Sequence, residues 1–220
     1  MNQLLQFFAS NHGDVLQYIY EHLEMTGIAV GFAVLAGVPL GIAVTRSRHL
    51  RMPVMSSISA IQTVPSLALL GFMMPLMGIL SLPSIGRLPV IVALFLYALL
   101  PIVRNTYAGI KEVDPALIEA ATGMGMTPGQ VLVKVQLPLS IPVIMAGVRT
   151  ATVITVGIAT LGALIGAGGL GTHIWRGMST VNTTLILAGA IPASLLALGL
   201  DFALGRLEKT LSPRGIRPGG

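Results

Sequence analysis

The sequence predicts an all-α integral membrane protein with five transmembrane helices, an N-terminal amphipathic helix and a cytoplasmic loop of short helices. Three observations carry that expectation. Apolar residues make up 54% of the 220-residue chain and charged residues only 10%, against roughly 25% charged in soluble proteins. Uncharged stretches recur at the length of about 20 residues that a bilayer-crossing helix needs. Lys and Arg gather in alternate connecting segments, as the positive-inside rule requires. Cysteine is absent, which removes disulfides, Cys-ligated metals and a Cys nucleophile. The net charge of +5 in so apolar a chain belongs to membrane-flanking loops rather than to nucleic acid.

The spans follow from the intervals between charges. Residues 25–45 are uncharged, as are the 35 residues from Met52 to Gly86 and the 24 from Gly177 to Leu200; these give spans one, two and five. Only 16 uncharged residues separate Arg87 from Arg104, but both arginines can snorkel and the apolar pattern runs on to Ile110, giving span three. Span four, Leu139 to Ala167, carries one charge, Arg149. A lipid-facing charge is costly, so Arg149 is expected near one end or facing protein or water.

Five spans place the termini on opposite sides. Arg46, Arg48 and Arg51, the loop with Lys111 and Lys134, and the tail with Arg206, Lys209, Arg214 and Arg217 then share one face, leaving Arg87 and Arg176 opposite. The basic face is cytoplasmic. The N-terminal segment, with Asp14, Glu21 and Glu24, is expected outside, and Val15, Leu16, Ile19, Tyr20 and Leu23 suggest an amphipathic helix lying on the membrane. No basic segment, short apolar run and cleavage site open the chain, so the spans themselves are expected to direct insertion. One domain covers 1–220, its core about 20–210.

The stretch "LIGAGGLG", residues 164–171, fits the G-x-G-x-x-G pattern of a dinucleotide-binding turn. That fingerprint needs a preceding strand, a helix opening at the glycines and an acidic residue about 20 positions on. Here an apolar helix precedes it and residues 182–195 hold no Asp or Glu. Gly166, Gly168, Gly169 and Gly171 are therefore expected to form an outer turn or re-entrant segment with close backbone approach, with His173, Trp175 and Arg176 as interfacial anchors.

The loop after span three reads "DPALIEAATGMGMTPGQVLVKVQLP", residues 114–138. Asp114 with Pro115 is an N-cap followed by Pro at the first helical position. Gly123 and Gly125 interrupt that helix, and Thr127-Pro128-Gly129-Gln130 opens a second with a capping box, running towards Pro138. Two short helices with a glycine joint suit docking.

Glu119-Ala120-Ala121, Gly125 after three residues, and Val135-Gln136-Leu137-Pro138 after nine more resemble the EAA loop of ABC importer permeases, with Val135 in place of the usual Ile. The resemblance implies a type I importer permease with a methionine-permease-like core. Its loop, 111–138, would be the coupling helix that enters a groove on a cytosolic ATPase: Glu119 contacting the ATPase, Ala120, Ala121 and Gly125 allowing the close fit, and Leu137 and Pro138 closing the motif. Partners implied are two ABC ATPase subunits, a second copy or paralogue of the permease and an extracytoplasmic substrate-binding protein. ATP and Mg would sit on the ATPase, with no cofactor in this chain. "IQTVPSLALLG", residues 61–71, and the glycine turn look most similar to osmoprotectant permeases, for betaine, carnitine, choline or related quaternary amines; methionine importer permeases are the competing family.

Walker A, H-E-x-x-H and G-x-S-x-G motifs are all absent from the sequence, as are catalytic and metal-binding clusters, so the chain is not expected to be an enzyme by itself. An intramembrane enzyme and a passive channel or scaffold are the alternatives from other classes; neither accounts for an EAA loop. Candidates for the pathway are Gln62 and Pro65 in span two and Thr152 and Thr155 in span four, beside Thr150, Thr160 and Asn105. Bonding of the threonines to their own helix carbonyls explains them equally well. Asp201 is expected as a cytoplasmic end charge near Arg206. The aromatics of the spans, Phe32, Phe72, Phe95, Tyr97 and Phe202, show no cage spacing for a quaternary ammonium.

Overall fold

The structure, a computed structural model, describes residues 2–212; Arg214 and Arg217 lie outside them. All regular structure among these residues is helical: α1 Asn2–Ser10, α2 His12–Arg46, α3 Arg48–Thr63, α4 Ser66–Ile79, α5 Arg87–Lys111, α6 Pro115–Gly123, α7 Pro128–Val131, α8 Leu137–Ala159, α9 Gly171–Ser179 and α10 Thr183–Leu211. Four helical rods are long and apolar enough to cross a membrane, α2, α5, Pro128–Ile165 and α10; the count is five if α3 and α4, bent by 104°, form one broken span.

α5 is the helix around which the others pack. Its Ala93, Leu94 and Ala98 are fully buried, against Met25 and Ala29 of α2, Leu70 and Met73 of α4, and Val148 and Ala151 of α8. Small residues set the spacing. A Cβ on Gly41 of α2 would stand 2.6 Å from Thr106 Cβ, and one on Gly147 of α8 would stand 2.6 Å from Asn105 Cβ and 2.7 Å from the Pro101 carbonyl oxygen. Helix association in lipid rests on such backbone approach, since apolar burial gains little there. α2 and α5 run parallel, Gly37 meeting Ile102 as Gly41 meets Thr106, and α8 runs antiparallel to α5. α10 leans on α8 and α9; a Cβ on Gly189 would stand 2.6 Å from the Leu170 carbonyl oxygen.

The expected second span is interrupted at Val64 and Pro65. Pro65 has no N–H and biases Val64 away from helical geometry, and Val64 is extended, with φ −70° and ψ 126°. The Val64 carbonyl finds a partner on α5, the Tyr97 hydroxyl, which donates to it. In the other direction the Gln62 amide donates at 3.1 Å to the Tyr97 carbonyl, which Pro101, four residues on in α5, leaves without a helical donor. This meets the rule that backbone polar groups at membrane depth be satisfied inside the protein.

Two expectations are corrected. The segment with Val15, Leu16, Ile19, Tyr20 and Leu23 is not a separate surface helix but the first turns of the 35-residue α2, and the separate N-terminal helix is α1. Nothing between His12 and Thr26 breaks the helix, and Val15, Glu21 and His22 are buried against other elements. Nor does the second loop helix end at Pro138. It continues through a π-helical stretch, Leu132–Gln136, into α8. A proline ring clashes with the carbonyl four residues earlier, here that of Lys134; the wider π turn, closed by Leu137 N–H to the Leu132 carbonyl, relieves it.

Gly147→Ala is expected to lower the thermal midpoint of the purified protein by the equivalent of about 1–3 kcal/mol of overpacking. Gly27→Ala, where a Cβ meets nothing within 4 Å, is expected to leave it unchanged.

Candidate functional site

At the end of the bundle where α2 and α5 begin, the glycine turn receives a carboxylate of its own chain. Gly166, Gly168 and Gly169 have φ of +75°, +82° and +74°, a region only glycine enters freely. Gly169 N–H donates to Glu21 Oε2 at 2.8 Å, and a Cβ on Gly168 would overlap that oxygen. Glu21 Oε1 accepts from Gln17 at 3.1 Å and pairs with Arg87 at 3.0 Å. Arg87 also pairs with Glu24 at 2.6 Å. Gly86 N–H donates to the Ile165 carbonyl at 2.8 Å, and His22 Nε2 meets the Val156 carbonyl at 2.9 Å. The site thus ties α2, α5 and the end of α8 together. Gly171 has no room for a side chain because the Thr160 backbone occupies the place of a Cβ. No strand precedes the turn, and the anion it holds is Glu21.

Beyond the turn, α9 carries His173, 5% exposed, with the rings of Phe7 and Tyr18 edge-on at 5.5 and 4.8 Å. Burial pushes its imidazole below the ordinary value, opposed by Asp14 and reinforced by Arg176.

At the opposite end stands the loop with the EAA spacing. Asp114 accepts from Ala116 N–H at 2.9 Å and caps α6. Thr127 and Gln130 form the full capping box that opens α7. Between them Gly125, at φ +85°, makes the joint. Glu119 and Ala120 face outward, whereas Ala121 is buried. Leu117, Met124 and Val133 are also exposed. Leu137 and Pro138 sit where the π stretch passes into α8. Arg46, at the end of α2, donates to the Pro128 carbonyl at 2.9 Å and fastens the loop to the bundle.

The pathway candidates fall in two places. Gln62 and Pro65 are at the α3–α4 break. Thr152 and Thr155 are buried, and their hydroxyls donate to the Val148 and Thr152 carbonyls of their own helix, at 2.8 and 2.9 Å. Arg149 faces protein: Nε and Nη2 reach the two oxygens of Asp201 at 2.8 and 2.9 Å, and Nη1 reaches Glu208 at 3.2 Å. The partner of Asp201 is therefore not Arg206 but Arg149, across on α8, while Arg206 lies over the Phe202 ring at 4.5 Å. Antiparallel packing of α8 and α10 sets that register. Among the described residues no three His, Asp or Glu side chains gather as a metal-ligand set.

Glu21→Ala leaves Gly169 N–H without its acceptor and Arg87 with Glu24 alone, a loss of about 1–3 kcal/mol for a buried group. It is expected to speed hydrogen exchange at residues 14–24 and 166–170 while leaving 114–138 unchanged. Equal protection at both ends would refute the tie.

The family described as binding-protein-dependent transport system inner membrane component matches residues 33–214. The chain is 48% identical to the glycine betaine/carnitine/choline transport system permease protein OpuCD of Bacillus subtilis (strain 168), over 97% of this chain and 91% of that protein. It is 46% identical to the carnitine transport permease protein OpuCB of Listeria monocytogenes, over 99% and 97%. It is 42% identical to the osmoprotectant import permease protein OsmW of Salmonella typhimurium, over 97% and 99%. Among solved structures, a chain of the inward-facing MetNI methionine ABC transporter superposes with a TM-score of 0.83 at 25% identity, covering 93% of this chain and 99% of that one. The glycine turn, the capped loop and the helical bundle are therefore parts of a transport protein, and the chain belongs to the family of inner membrane components of binding-protein-dependent transport systems.

Proposed function

We propose that this chain is the permease subunit of an ATP-driven importer for osmoprotectants, quaternary amines such as glycine betaine, carnitine and choline. The observation that carries the solute class is the near full-length identity of 42–48% to relatives named for those solutes. The likeness to a methionine transporter supports the same coupling machinery with another solute.

In this reading the chain crosses the membrane five times, the broken α3–α4 pair being the second crossing. The end with Glu21, Arg87 and the glycine turn faces outward, towards a substrate-binding protein. The end with Arg46, Arg51, Lys111 and Lys134 faces the cytoplasm, as its positive charge favours. Two ATPase subunits receive the α6–α7 loops of this chain and of a second permease, identical or paralogous, and they bind the ATP and Mg. Glu119 and Ala120 make the contact, Ala121 anchors α6 from behind, and Gly125 lets the chain turn between the helices. The loop leads without a break through Leu137 and Pro138 into α8, so movement of the ATPases reaches the spans through one rod. Gln62 and Pro65 at the break, and Thr152 and Thr155 in α8, are the sequence's candidates for the path.

The test is solute-stimulated ATP hydrolysis by the complete transporter in proteoliposomes, with its binding protein and glycine betaine, carnitine, choline or methionine. Stimulation by the quaternary amines is expected. Gly125→Val forces a β-branched residue to φ +85°, strain of about 1–3 kcal/mol. It is expected to abolish the stimulation while the spans keep their thermal midpoint. Stimulation by methionine alone would move the solute class, and wild-type protein that associates with no ATPase would sink the importer reading.

A further inference from the structure

The groove between α8 and α10 holds a feature that neither packing nor coupling explains. Arg149 lies about 18 Å along the helix from Leu137 and about 15 Å from Ala159 at 1.5 Å per residue, in the middle of a membrane-spanning rod. Its side chain is 34% exposed and that of Asp201 37% exposed. Both open on a cavity of about 510 Å³ lined by Ala146, Thr150, Val153 and Leu198, within the roughly 300–1,000 Å³ of small-molecule clefts. Charges at this depth face protein or water, not hydrocarbon. The groove therefore belongs to the aqueous side of the bundle, whereas Ile28, Phe32 and Leu35 of α2 offer a purely apolar exposed face.

Within the ion-paired triad the charges do not cancel: with Glu208, 3.2 Å from Arg149, it carries one positive and two negative groups. A second cavity, of about 420 Å³, continues past Asp201 to Phe202 and Glu208, with Arg206 and Lys209 on its outer wall. The Phe202 ring already accepts a cation on its face, the Arg206 guanidinium at 4.5 Å, the contact through which aromatic rings bind quaternary ammonium groups.

We propose that this groove is a solute station in the translocation path, and the assignment rests on the osmoprotectant reading above. Arg149 takes the carboxylate of a zwitterionic quaternary amine, while Asp201, Glu208 and the Phe202 ring face its ammonium. The solute enters by exchange. The Arg149–Asp201 pair opens as two new ion pairs form, so charge is replaced by charge and no group is stranded in the membrane. A solute without a carboxylate, such as choline, uses only the negative part of the station.

The chain has no cysteine, so single cysteines report directly. Thr150→Cys and Ala197→Cys, in the complete transporter in proteoliposomes, are expected to react with a water-soluble trimethylammonium methanethiosulfonate, to be slowed by glycine betaine, and to outpace Leu35→Cys. In transport assays Arg149→Gln is expected to raise KM for glycine betaine and carnitine about tenfold, the scale of one lost charge-assisted contact, with choline little changed. Arg149→Lys is expected to recover part of the loss, and Asp201→Asn to raise KM for all three. Unreactive Thr150→Cys and Ala197→Cys would overturn the station, as would Arg149→Gln impairing all three solutes equally, the mark of a structural ion pair. If Arg149→Gln does not fold, the labelling decides alone. Wild-type protein that transports none of the three while its groove cysteines react would remove the osmoprotectant reading and keep the wet groove; transport with unreactive cysteines would do the reverse.

Discussion

Gly147 rests on the carbonyl oxygen of Pro101, and Gly41 on the side chain of Thr106. These contacts bring α2 and α8 to backbone distance from α5 on two of its sides, and the remaining geometry depends on them. With α8 held so closely by one face, its Arg149 points to α10. With α2 held parallel to α5, Glu21 and Glu24 arrive at the height of Arg87. A bundle assembled in lipid gains little from hiding apolar side chains, so shape at a few small residues settles which faces are left for polar work.

The two ends are built differently. Where α2 begins, a carboxylate, a guanidinium and a backbone N–H from distant parts of the chain close on one another. Where the loop stands, the stabilising bonds are local caps, Asp114 on α6 and Thr127 with Gln130 on α7, and a single long-range bond from Arg46 fastens it. The loop thus keeps its own shape while its outer surface, Glu119, Ala120 and Met124, stays uncommitted. Between the ends, the broken α3–α4 pair is tied to α5 by two bonds, from the Tyr97 hydroxyl to the Val64 carbonyl and from the Gln62 amide to the Tyr97 carbonyl.

What the sequence made legible was local. Charge intervals marked the helical rods, and Asp114-Pro115 and Thr127-Pro128-Gly129-Gln130 named their own helix starts, since a cap is a bond between residues two or three apart. The family followed from a spacing confined to residues 119–138. Partners set by register between distant helices were not legible. Nothing near Glu21 announces Gly169, 148 residues away, and Asp201 was assigned to its sequence neighbour Arg206 rather than to Arg149 on α8. One signal was available: Arg149 has no acidic residue in its own span, and Asp201 directly follows another apolar one, so two opposite charges on neighbouring spans called for each other. The N-terminal turns misled because alternating acidic and apolar residues suit a surface helix as well as a buried helix end whose acids are paired.

The glycine turn has a bearing on how sequence fingerprints are interpreted. In a dinucleotide site the glycines clear the way for a pyrophosphate to reach backbone N–H groups. Here the same spacing clears the way for the Glu21 carboxylate to reach Gly169 N–H. The physical demand is identical, an anion at close quarters with unhindered main chain, and the protein meets it internally. A glycine fingerprint records that negative charge approaches the backbone. Whose charge it is must be learned from elsewhere in the fold.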